Sequence, residues 1–384
     1  MKEKGKRHIV VAVTNDLVTD QRVDRTCRTL VEAGYRVTLV GRRLPESPSL
    51  AERPYRMERM KLLFRRSAMF YAEYNLRLWL RLLRLRPDAC WANDTDTLLA
   101  STLAARMLRC PLLFDAHELF PDVPELVDKP RVRSVWRWVE KRCLPRVTAA
   151  FTVCQSVAEE YKKRYGVEMT VVRNLQERGD RDYSNYSDYT DYSVLLYQGA
   201  VNVGRGVREA IDAMEWLPGC RLVVAGDGDL KEELEAYAAG LPWAERVKFL
   251  GRTEPQRLHA LTCRADLGLC LLEDLGLNYR YALPNRVGDF IQAGVPLLAT
   301  GFVEIARVVN EYGTGSLAET CPKEKTGEAY RAYVRRLASQ IDDTLAYWRA
   351  LPTEEREARF ARARKELCWE EEKKRLLQKM RTIF

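Results

Sequence analysis

Short apolar runs alternate with helical stretches along the whole sequence, and this alternation constrains the fold more than any other feature. The runs lie at 8–13, 36–41, 89–92, 112–116, 149–153, 170–174, 193–199, 221–228, 246–251, 265–272 and 295–300. Strands separated by helices form right-handed βαβ units, which build parallel sheets. The alternation breaks once, in a polar stretch, and then restarts. We therefore predict an α/β chain with two Rossmann-like, doubly wound domains that face a central cleft.

The domain boundaries follow from that break. A chain of 384 residues suits two domains of ordinary size. We expect an N-terminal domain over 1–175, a linker over 176–192 and a C-terminal domain over 193–350. The linker carries a tyrosine at every third position, namely Tyr183, Tyr186, Tyr189 and Tyr192. The segment 351–384 is highly charged and helical in period, and we expect it to pack across the two domains.

Cysteine and histidine usage excludes several classes of protein. Ten cysteines are scattered without a CxxC pair, and only three histidines are present. This pattern argues against a zinc site and a disulfide framework, and favours reduced thiols in the cytoplasm. No run approaches the ~20 apolar residues of a membrane-spanning helix. We interpret the apolar run at 8–13 as a first strand rather than part of a signal peptide.

The positive charge of the chain is concentrated in one stretch. The net charge is +9, yet residues 53–86 alone hold ten Lys or Arg against two Glu. A general polyanion binder such as a nucleic-acid-binding protein would show a broader bias. Within this stretch we predict an amphipathic helix over 66–86. Its apolar face would hold Leu76, Trp79, Leu80 and Leu83, with Arg77, Arg81 and Arg84 elsewhere.

Two interpretations of that helix remain open. Arginine stems beside Trp and Leu suit the interface of an anionic membrane, so the stretch is a candidate peripheral membrane contact. Alternatively, it is an ordinary crossover helix whose apolar face packs on its own sheet, because every βαβ helix needs such a face.

A glycine turn in the second half is a candidate phosphate site. Gly204 and Gly206 follow a strand-like run, and a helix is predicted to begin near Val207. Glycines let the backbone approach an anion, and a helix N-terminus offers free N–H groups. Arg205, between the two glycines, adds a bidentate phosphate donor.

A second loop precedes another predicted helix in the same half. Asn285 is a candidate N-cap, and Arg286 follows it in the first turn. Because a cation there opposes the helix dipole, Arg286 is expected to have an anionic partner. Asp289 lies one turn further on and suits ribose hydroxyls. The alternative is that Asp289 is merely an acid in the first turn of a helix.

His117 is the best single candidate for a sugar-site residue. It lies just past the predicted strand at 112–116, and ligands of doubly wound sheets bind beyond the carboxyl ends of strands. His8 precedes the first strand, and His259 lies on a charged helix. A purely structural role for a lone histidine at a strand end is the competing interpretation.

Several longer motifs together resemble bacterial glycosyltransferases of family 4. They are NDLVTDQRVDR at 15–25, AND-x-D-T-L at 92–98, DAHELFPDVPEL at 115–126, YQGAVNVGRG at 197–206 and LGLNYRYALPNRVGDFIQAGVP at 275–296. The resemblance covers nearly the whole chain. It implies the GT-B fold, a nucleoside diphosphate sugar as donor, retention of anomeric configuration, and no metal or other cofactor.

The resemblance also assigns roles to individual residues. His117 matches the family histidine that bonds the donor sugar and stabilises charge near the reacting carbon. Arg205 matches the lysine of the family's diphosphate-binding Arg/Lys pair, while the arginine of that pair falls on Ala200. Asp289 matches the second Glu of the Glu-x7-Glu motif and is expected to hold the ribose. The first Glu falls on Tyr281.

Further donor-site residues follow from the same comparison. Glu273, Asp274 and Asn278 lie near Tyr281 and are candidate replacements for the missing Glu. Arg286 matches a basic residue, Asn285 precedes it, and the segment ending at Arg252 is expected to pass the base. Asn15 and Asp16 replace the family's glycine-rich acceptor loop. The remaining candidates on the acceptor side are Arg22, Asn93, Asp94 and Glu118.

The mechanism that the resemblance implies is front-face transfer to an acceptor hydroxyl, in which the leaving diphosphate accepts the proton. The expected acceptor is a sugar or a lipid-linked sugar of surface polysaccharide or glycolipid assembly. Two alternatives remain: a sugar-nucleotide epimerase on the same architecture, and a non-catalytic binder of sugar nucleotides. The departures at Ala200 and Tyr281 favour the second of these.

Overall fold

The computed structural model describes residues 5–18, 20–178 and 192–384. The chain forms two compact units. The first comprises Met1–Asn174 together with Glu372–Phe384, and the second comprises Leu175–Glu371. Most of the proposed linker, including Tyr183, Tyr186 and Tyr189, lies outside the described residues.

The first unit is built on a parallel sheet of seven strands. They are β1 (His8–Ala12), β2 (Arg36–Arg43), β3 (Arg56–Lys61), β4 (Ala89–Asn93), β5 (Leu112–Ala116), β6 (Ala149–Thr152) and β7 (Met169–Val171). Their order across the sheet is β3-β2-β1-β4-β5-β6-β7. The sequence analysis missed β3, because its residues are charged and it lies at the sheet edge inside the basic stretch.

Helices connect these strands. They are α1 (Gln21–Glu32), α2 (Ser67–Leu85), α3 (Asp94–Leu108), α4 (Pro124–Val127), α5 (Pro130–Cys143) and α6 (Gln155–Tyr165). The strands β1, β4 and β5 are buried along their whole length. Trp91 of β4 and Phe151 of β6 stack with ring centroids 5.1 Å apart in this core.

The apolar face that we predicted for α2 is not the face that packs on the sheet. The helix buries Phe70, Tyr74, Leu78 and Leu82, which recur every fourth residue. Leu76 and Leu80 are instead more than half exposed. Because the helix is rich in apolar residues all round, its period alone fits more than one face.

The second unit has a parallel sheet of six strands. They are β8 (Ser193–Gln198), β9 (Cys220–Ala225), β10 (Val247–Gly251), β11 (Leu267–Cys270), β12 (Leu297–Thr300) and β13 (Gly315–Ala318). Their order is β10-β9-β8-β11-β12-β13. The sequence analysis missed β13, which is short, weakly apolar and at the edge.

Nine α-helices follow in the described part of the second half. They are α7 (Val207–Ala213), α8 (Lys231–Ala239), α9 (Pro255–Cys263), α10 (Leu277–Arg280), α11 (Asn285–Ala293), α12 (Val303–Tyr312), α13 (Gly327–Ala350), α14 (Thr353–Glu366) and α15 (Trp369–Arg381). From Glu372 onward, the residues of α15 belong to the first unit. Within the described ranges, no helix is long and apolar enough to span a bilayer.

Each sheet has one point at which its strand order reverses. In the first unit the point lies between β1 and β4, and in the second between β8 and β11. Loops leave such a point in opposite directions and open a crevice beyond the carboxyl ends of the strands, where ligands of this architecture bind. The two predicted doubly wound sheets are therefore confirmed, and their reversal points locate the candidate sites.

Candidate active site

In the first unit, the candidate site begins where β4 passes into α3. Asp94 opens the helix with a φ of +56°, a left-handed conformation that a non-glycine residue rarely adopts. Asn93 stabilises the turn by joining it to the end of β1, since its side-chain amide donates to the Ala12 carbonyl oxygen over 3.0 Å. The Asp94 carboxylate accepts the backbone N–H of His117 over 2.8 Å.

His117 lies between two carboxylates. Its Nδ1 is 3.4 Å from Asp94 Oδ2, and its Nε2 is 3.5 Å from Asp115 Oδ2. Burial alone would lower the pKa of His117, but Asp94 and Asp115 outweigh burial and raise it to about 9. The side chain is therefore an imidazolium at neutral pH. Its Nε2 faces the buried Asp115 carboxylate, so both ring nitrogens lie against carboxylates and the imidazolium contributes a positive charge at this edge.

The pKa of Asp94 is also raised, but chiefly by burial rather than by neighbouring charge. Burial raises the pKa of its carboxyl to about 7, although the His117 charge opposes the rise. Glu118, half-buried beside His117, raises the pKa further through its negative charge. The group is consequently poised to change its protonation near neutral pH.

A buried ion pair between Arg22 and Asp115 holds the carboxylate that faces His117. Arg22 of α1 donates from Nε and Nη2 to the two carboxylate oxygens of Asp115, over 3.0 and 2.6 Å. Both side chains are 2% exposed. Burial alone would raise the pKa of Asp115, but Arg22 and His117 hold it well below its usual range. Arg22 was predicted to face the acceptor, whereas the structure makes it a buried partner of Asp115.

Other carboxylates line the same edge. Thr14 donates its hydroxyl to Asp96 over 2.6 Å, and burial raises the pKa of Asp96 to about 6. Asn15 holds the turn after β1, because its side chain bonds both Leu17 N–H and the Asp20 carboxylate. Asp16 accepts the Ser47 hydroxyl over 3.2 Å. The predicted acceptor residues other than Arg22 therefore form a polar, mostly acidic edge.

In the second unit, the glycine turn after β8 is held by close packing. Gly204 and Gly206 have φ values of +81° and +72°. A Cβ added to Gly206 would lie 2.0 Å from the Leu271 carbonyl oxygen. Glycine is required there by backbone conformation and by the neighbouring chain after β11. The helix α7 begins at Val207, as predicted.

Arg286 is the central cation of this edge. It is 6% exposed, and its guanidinium lies 4.4 Å above the Tyr197 ring, with Nη2 3.2 Å from the Tyr197 hydroxyl. Nη2 also lies 3.1 Å from the position that a Cβ on Gly199 would take. The buried Nη1 makes no hydrogen bond with the described residues. A buried guanidinium nitrogen without a protein partner can donate to an anion or to a water molecule.

The predicted N-cap role of Asn285 is wrong. Asn285 is the first residue of α11, and Pro284 occupies the cap position without a side-chain hydrogen bond. Proline fixes an extended backbone there, so the helix begins without a polar cap. Asn285 is exposed.

Arg205 approaches the same region from the glycine turn. Its guanidinium lies 5.0 Å from the ring centroid of Tyr279, whose hydroxyl donates to the Val203 carbonyl oxygen. Burial raises the pKa of the Cys270 thiol, and the charges of Arg286 and Arg205 both oppose that rise. The two guanidinium groups therefore converge on the carboxyl end of β11.

Asp289 is oriented through a chain of side chains. Gln198, at the end of β8, donates its amide to Asp289 over 2.8 Å. Its carbonyl oxygen lies 2.8 Å from the Thr262 hydroxyl of α9. Asp289 thus has a fixed rotamer one turn beyond Arg286, with its carboxylate only half-buried.

The candidate replacements for the missing Glu differ in availability. Lys325 binds Glu273 over 2.8 Å and buried Glu209 over 2.7 Å. Arg280 holds Asp274 with two hydrogen bonds of 2.7 Å. Asn278 and Tyr281 are half-buried, on and just after α10, and Arg252 is exposed after β10. The two acids are thus engaged by cations.

Three residues escaped the sequence analysis although a signal existed. Asp115 was interpreted only as part of a strand, while Tyr197 and Gln198 were interpreted as the end of one. Each is a polar or aromatic side chain in the last positions of a strand beside a reversal point. Among the described residues, no group of three or more His, Cys, Asp or Glu is arranged to hold a metal ion.

Two Rossmann-like units, each with polar side chains gathered at the reversal point of its sheet, have the GT-B architecture of nucleotide-sugar enzymes. The family model described as Glycosyltransferase Family 4 matches residues 20–175. The model described as Glycosyl transferases group 1 matches residues 193–339. The chain is a GT-B glycosyltransferase and belongs to the bacterial family 4 type.

Individual relatives agree with this assignment. A glycogen synthase of Mycobacterium tuberculosis is 26% identical over 311 residues, which is 75% of this chain and 68% of the relative. A sucrose-phosphate synthase from Thermosynechococcus elongatus has the same fold, with a TM-score of 0.76 and 16% identity over 99% of both chains. An Anabaena protein in complex with UDP and glucose has a TM-score of 0.71 and 13% identity, over 98% of this chain and all of that one.

Proposed function

We propose that the enzyme is a retaining glycosyltransferase that moves a sugar from a nucleoside diphosphate sugar to an acceptor hydroxyl. The observation that carries this proposal is the buried Arg286, whose Nη1 has no partner among the described residues. A diphosphate would supply the missing acceptor oxygens. The complex of the Anabaena protein with UDP and glucose supports the same class of donor.

Arg286 and Arg205 are the two cations that we propose for the diphosphate, while the family arginine at the position of Ala200 has no counterpart at that position. The Arg286 guanidinium lies against Gly199, the residue before Ala200. Preorganised cations and donors of this kind stabilise the leaving group, each by about 3 kcal/mol in the transition state.

His117 acts as a positive charge, not as a base. Its pKa of about 9 keeps both ring nitrogens protonated at neutral pH, so its charge can stabilise negative charge that develops on the donor. The acceptor hydroxyl then forms the new C–O bond as the bond to the diphosphate breaks. Its proton passes to the departing phosphate oxygen, so no protein base and no metal are required.

The edge of the first unit suits a neutral, hydroxyl-rich acceptor. Asp16, Asp94, Asp96 and Glu118 supply carboxylate oxygens, which accept hydrogen bonds from sugar hydroxyls and repel anionic groups. We therefore place the acceptor sugar there. A sugar of surface polysaccharide or glycolipid assembly is the expected class, in the cytoplasm.

We further propose that the basic stretch 53–86 brings the enzyme to an anionic membrane surface. The strand β3 and the helix α2 form a groove lined by six cations and one carboxylate: Arg56, Arg59, Lys61, Arg77, Arg81, Arg84 and Glu58, which pairs with Arg56 and Arg81. Phosphate groups of lipids complement such a surface. A lipid-linked acceptor would then be concentrated at the enzyme.

The donor proposal is tested by thermal shift with UDP, GDP, ADP and their common sugar conjugates. At about 100 times the dissociation constant a ligand adds about 2.7 kcal/mol, enough to raise the midpoint by several degrees. We expect one base family to shift the wild type, and the shift to be lost in Arg286→Met and Arg205→Ala. Arg208→Ala, at the second residue of α7, is the matched control and keeps the shift, because its guanidinium packs on Tyr237.

Two outcomes favour the alternatives. If no nucleotide shifts the wild type, the donor site fails and the chain is a non-catalytic member. If a sugar nucleotide binds and is converted to its epimer without any acceptor, the enzyme is an epimerase. Release of the free nucleotide only when an acceptor is present supports the transferase.

A further inference from the structure

Three helices of the first unit share one face of its sheet. The crossovers from β3 to β4, β4 to β5 and β5 to β6 all advance in one direction across the sheet. Right-handed crossovers in one direction place their helices α2, α3 and α5 on the same side. Contacts confirm this, because Tyr71 of α2 meets Trp136 of α5 edge to face, with centroids 4.8 Å apart. Asn75 of α2 also bonds the α3 backbone at Asp96 and Ala100.

The inner sides of these helices satisfy their own sheet. Trp136, Val139 and Cys143 of α5 are buried, as are four residues of α2 at a spacing of four. The outer sides nevertheless carry further large apolar residues. Between 46% and 60% of the surface is exposed for Leu76, Leu80, Leu103, Met107, Val135 and Trp138. Exposed apolar residues grouped on three neighbouring helices indicate an interaction surface.

The fully exposed charges on the same outer sides are cations, although the partly buried Glu73 of α2 pairs with Arg77 over 2.7 Å. Exposed cations include Arg77, Arg84, Arg106, Arg131, Arg137 and Arg142. The structure describes all residues of α2, α3 and α5, and none of their exposed positions is Asp or Glu. The nearest exposed carboxylates before α5 are Glu125 and Asp128, which lie outside these helices.

A helix of the second unit shows that this pattern is not general. The exposed side of α13 carries Glu328, Asp342 and Asp343 among its arginines. Mixed signs are typical of a helix that faces water. The exposed positions of the three-helix face combine apolar residues with cations, which is the composition of surfaces that lie in the headgroup region of an anionic bilayer.

We propose that the outer face of α2, α3 and α5 is a membrane-docking face, with Trp138 of α5 as its interfacial anchor. The proposal rests on the membrane contact proposed for 53–86 and extends it to two more helices. Trp138 presents an amphipathic ring, which prefers the boundary between headgroups and acyl chains. Leu76, Leu103 and Val135 would enter the same layer, while the arginines bind lipid phosphates.

The test measures co-sedimentation of the full chain with vesicles of phosphatidylcholine containing 0 to 40% phosphatidylglycerol, at low and high salt. Val135→Ser/Trp138→Ser removes apolar contact without changing charge. We expect this pair to weaken partitioning about tenfold, or about 1.4 kcal/mol, at both salt concentrations. Val303→Ser/Tyr347→Ser, exposed residues of the second unit, is the matched control and retains wild-type partitioning.

A second variant distinguishes this inference from the proposal on which it rests. Arg77→Ser/Arg81→Ser/Arg84→Ser should lose binding chiefly at low salt, because salt screens charges. If that variant loses binding while Val135→Ser/Trp138→Ser does not, the contact is confined to 53–86 and the three-helix face is overturned. If the wild type ignores vesicles yet transfers sugar to a soluble acceptor, both membrane proposals fail and the transferase stands. Circular dichroism and thermal unfolding confirm that each variant is folded.

Discussion

The two sheets gather charge at equivalent places but leave it in opposite states. At the reversal point of the first unit, Arg22, Asp115, His117 and Asp94 bind largely to one another. At that of the second unit, the buried Nη1 of Arg286 and the buried Nε of Arg205 have no hydrogen-bond partner among the described residues. The charged groups of the first unit bind one another, and we call this set the closed edge. The two arginines of the second unit have nitrogen atoms without a protein partner, and we call this set the open edge.

This difference separates stability from ligand binding. A buried ion pair whose partner is removed leaves an uncompensated charge, which destabilises the fold strongly. A buried cation without a partner already bears that cost, and a bound diphosphate would relieve it. Residues of the first edge should therefore affect unfolding more, and the arginines of the second edge should affect donor use more.

We expect the largest change in the free energy of unfolding when the ion pair between Arg22 and Asp115 of the closed edge is broken. Asp115→Asn leaves Arg22 buried without a carboxylate, and we expect a loss of about 3–5 kcal/mol of folding free energy. The unfolding midpoint should fall by about 10 °C, as measured by calorimetry. The control is Asp94→Asn, whose side chain is 22% exposed and should cost much less. Equal losses of stability in the two variants would contradict the proposal that the buried ion pair between Arg22 and Asp115 stabilises the first unit.

A substitution in the open edge should have the opposite effect: it should lower kcat/KM and leave the free energy of unfolding nearly unchanged. Arg286→Met keeps the volume and removes the charge, so kcat/KM should fall about 10²–10³-fold. The free energy of unfolding should stay within about 1 kcal/mol of wild type, or rise, because an unpaired buried charge is lost. Initial rates and thermal unfolding of the same preparation measure both quantities. A large loss of stability with unchanged kcat/KM would remove Arg286 from the site.

The two edges should also differ in their response to pH. The pKa of His117 is about 9 in the folded protein and near 6.5 when unfolded. Between these values the folded state keeps a proton that the unfolded state releases, so stability is fully present below pH 6.5 and is lost as pH rises to 9. The loss is at most about 3 kcal/mol.

Urea unfolding of wild type and His117→Gln at pH 6, 7.5 and 9 measures this loss. The difference in stability between the two proteins should shrink as the pH rises. A difference that stays constant over this range would show that the imidazolium is not held by Asp94 and Asp115. For variants of Arg205 and Arg286, the difference in stability from wild type should not change with pH, since arginine does not titrate in this range.

The sequence predicted the strands of the two sheets better than it predicted which side chains of the sites bind each other. Apolar runs such as 8–13 and 193–199 fixed both sheets, because a strand buried on two faces leaves a strong local signal. Edge strands β3 and β13 carry little apolar pattern and were missed. His117, Arg205 and Arg286 were found because strand ends and glycine turns are visible locally. The partners Arg22 and Asp115 stand 93 residues apart, and only tertiary structure brings them together.

The smallest expected effect compares one hydroxyl from each edge. Thr262 contacts Gln198, which orients Asp289, while Thr14 orients Asp96. Thr→Val at either position removes one hydrogen bond and should cost about 1 kcal/mol of stability. Only Thr262→Val should raise the KM for the donor, about three- to tenfold with little change in kcat, because it loosens the ribose contact proposed for Asp289. A donor KM raised equally by Thr14→Val would mean that the effect does not arise from the contact between Gln198 and Asp289.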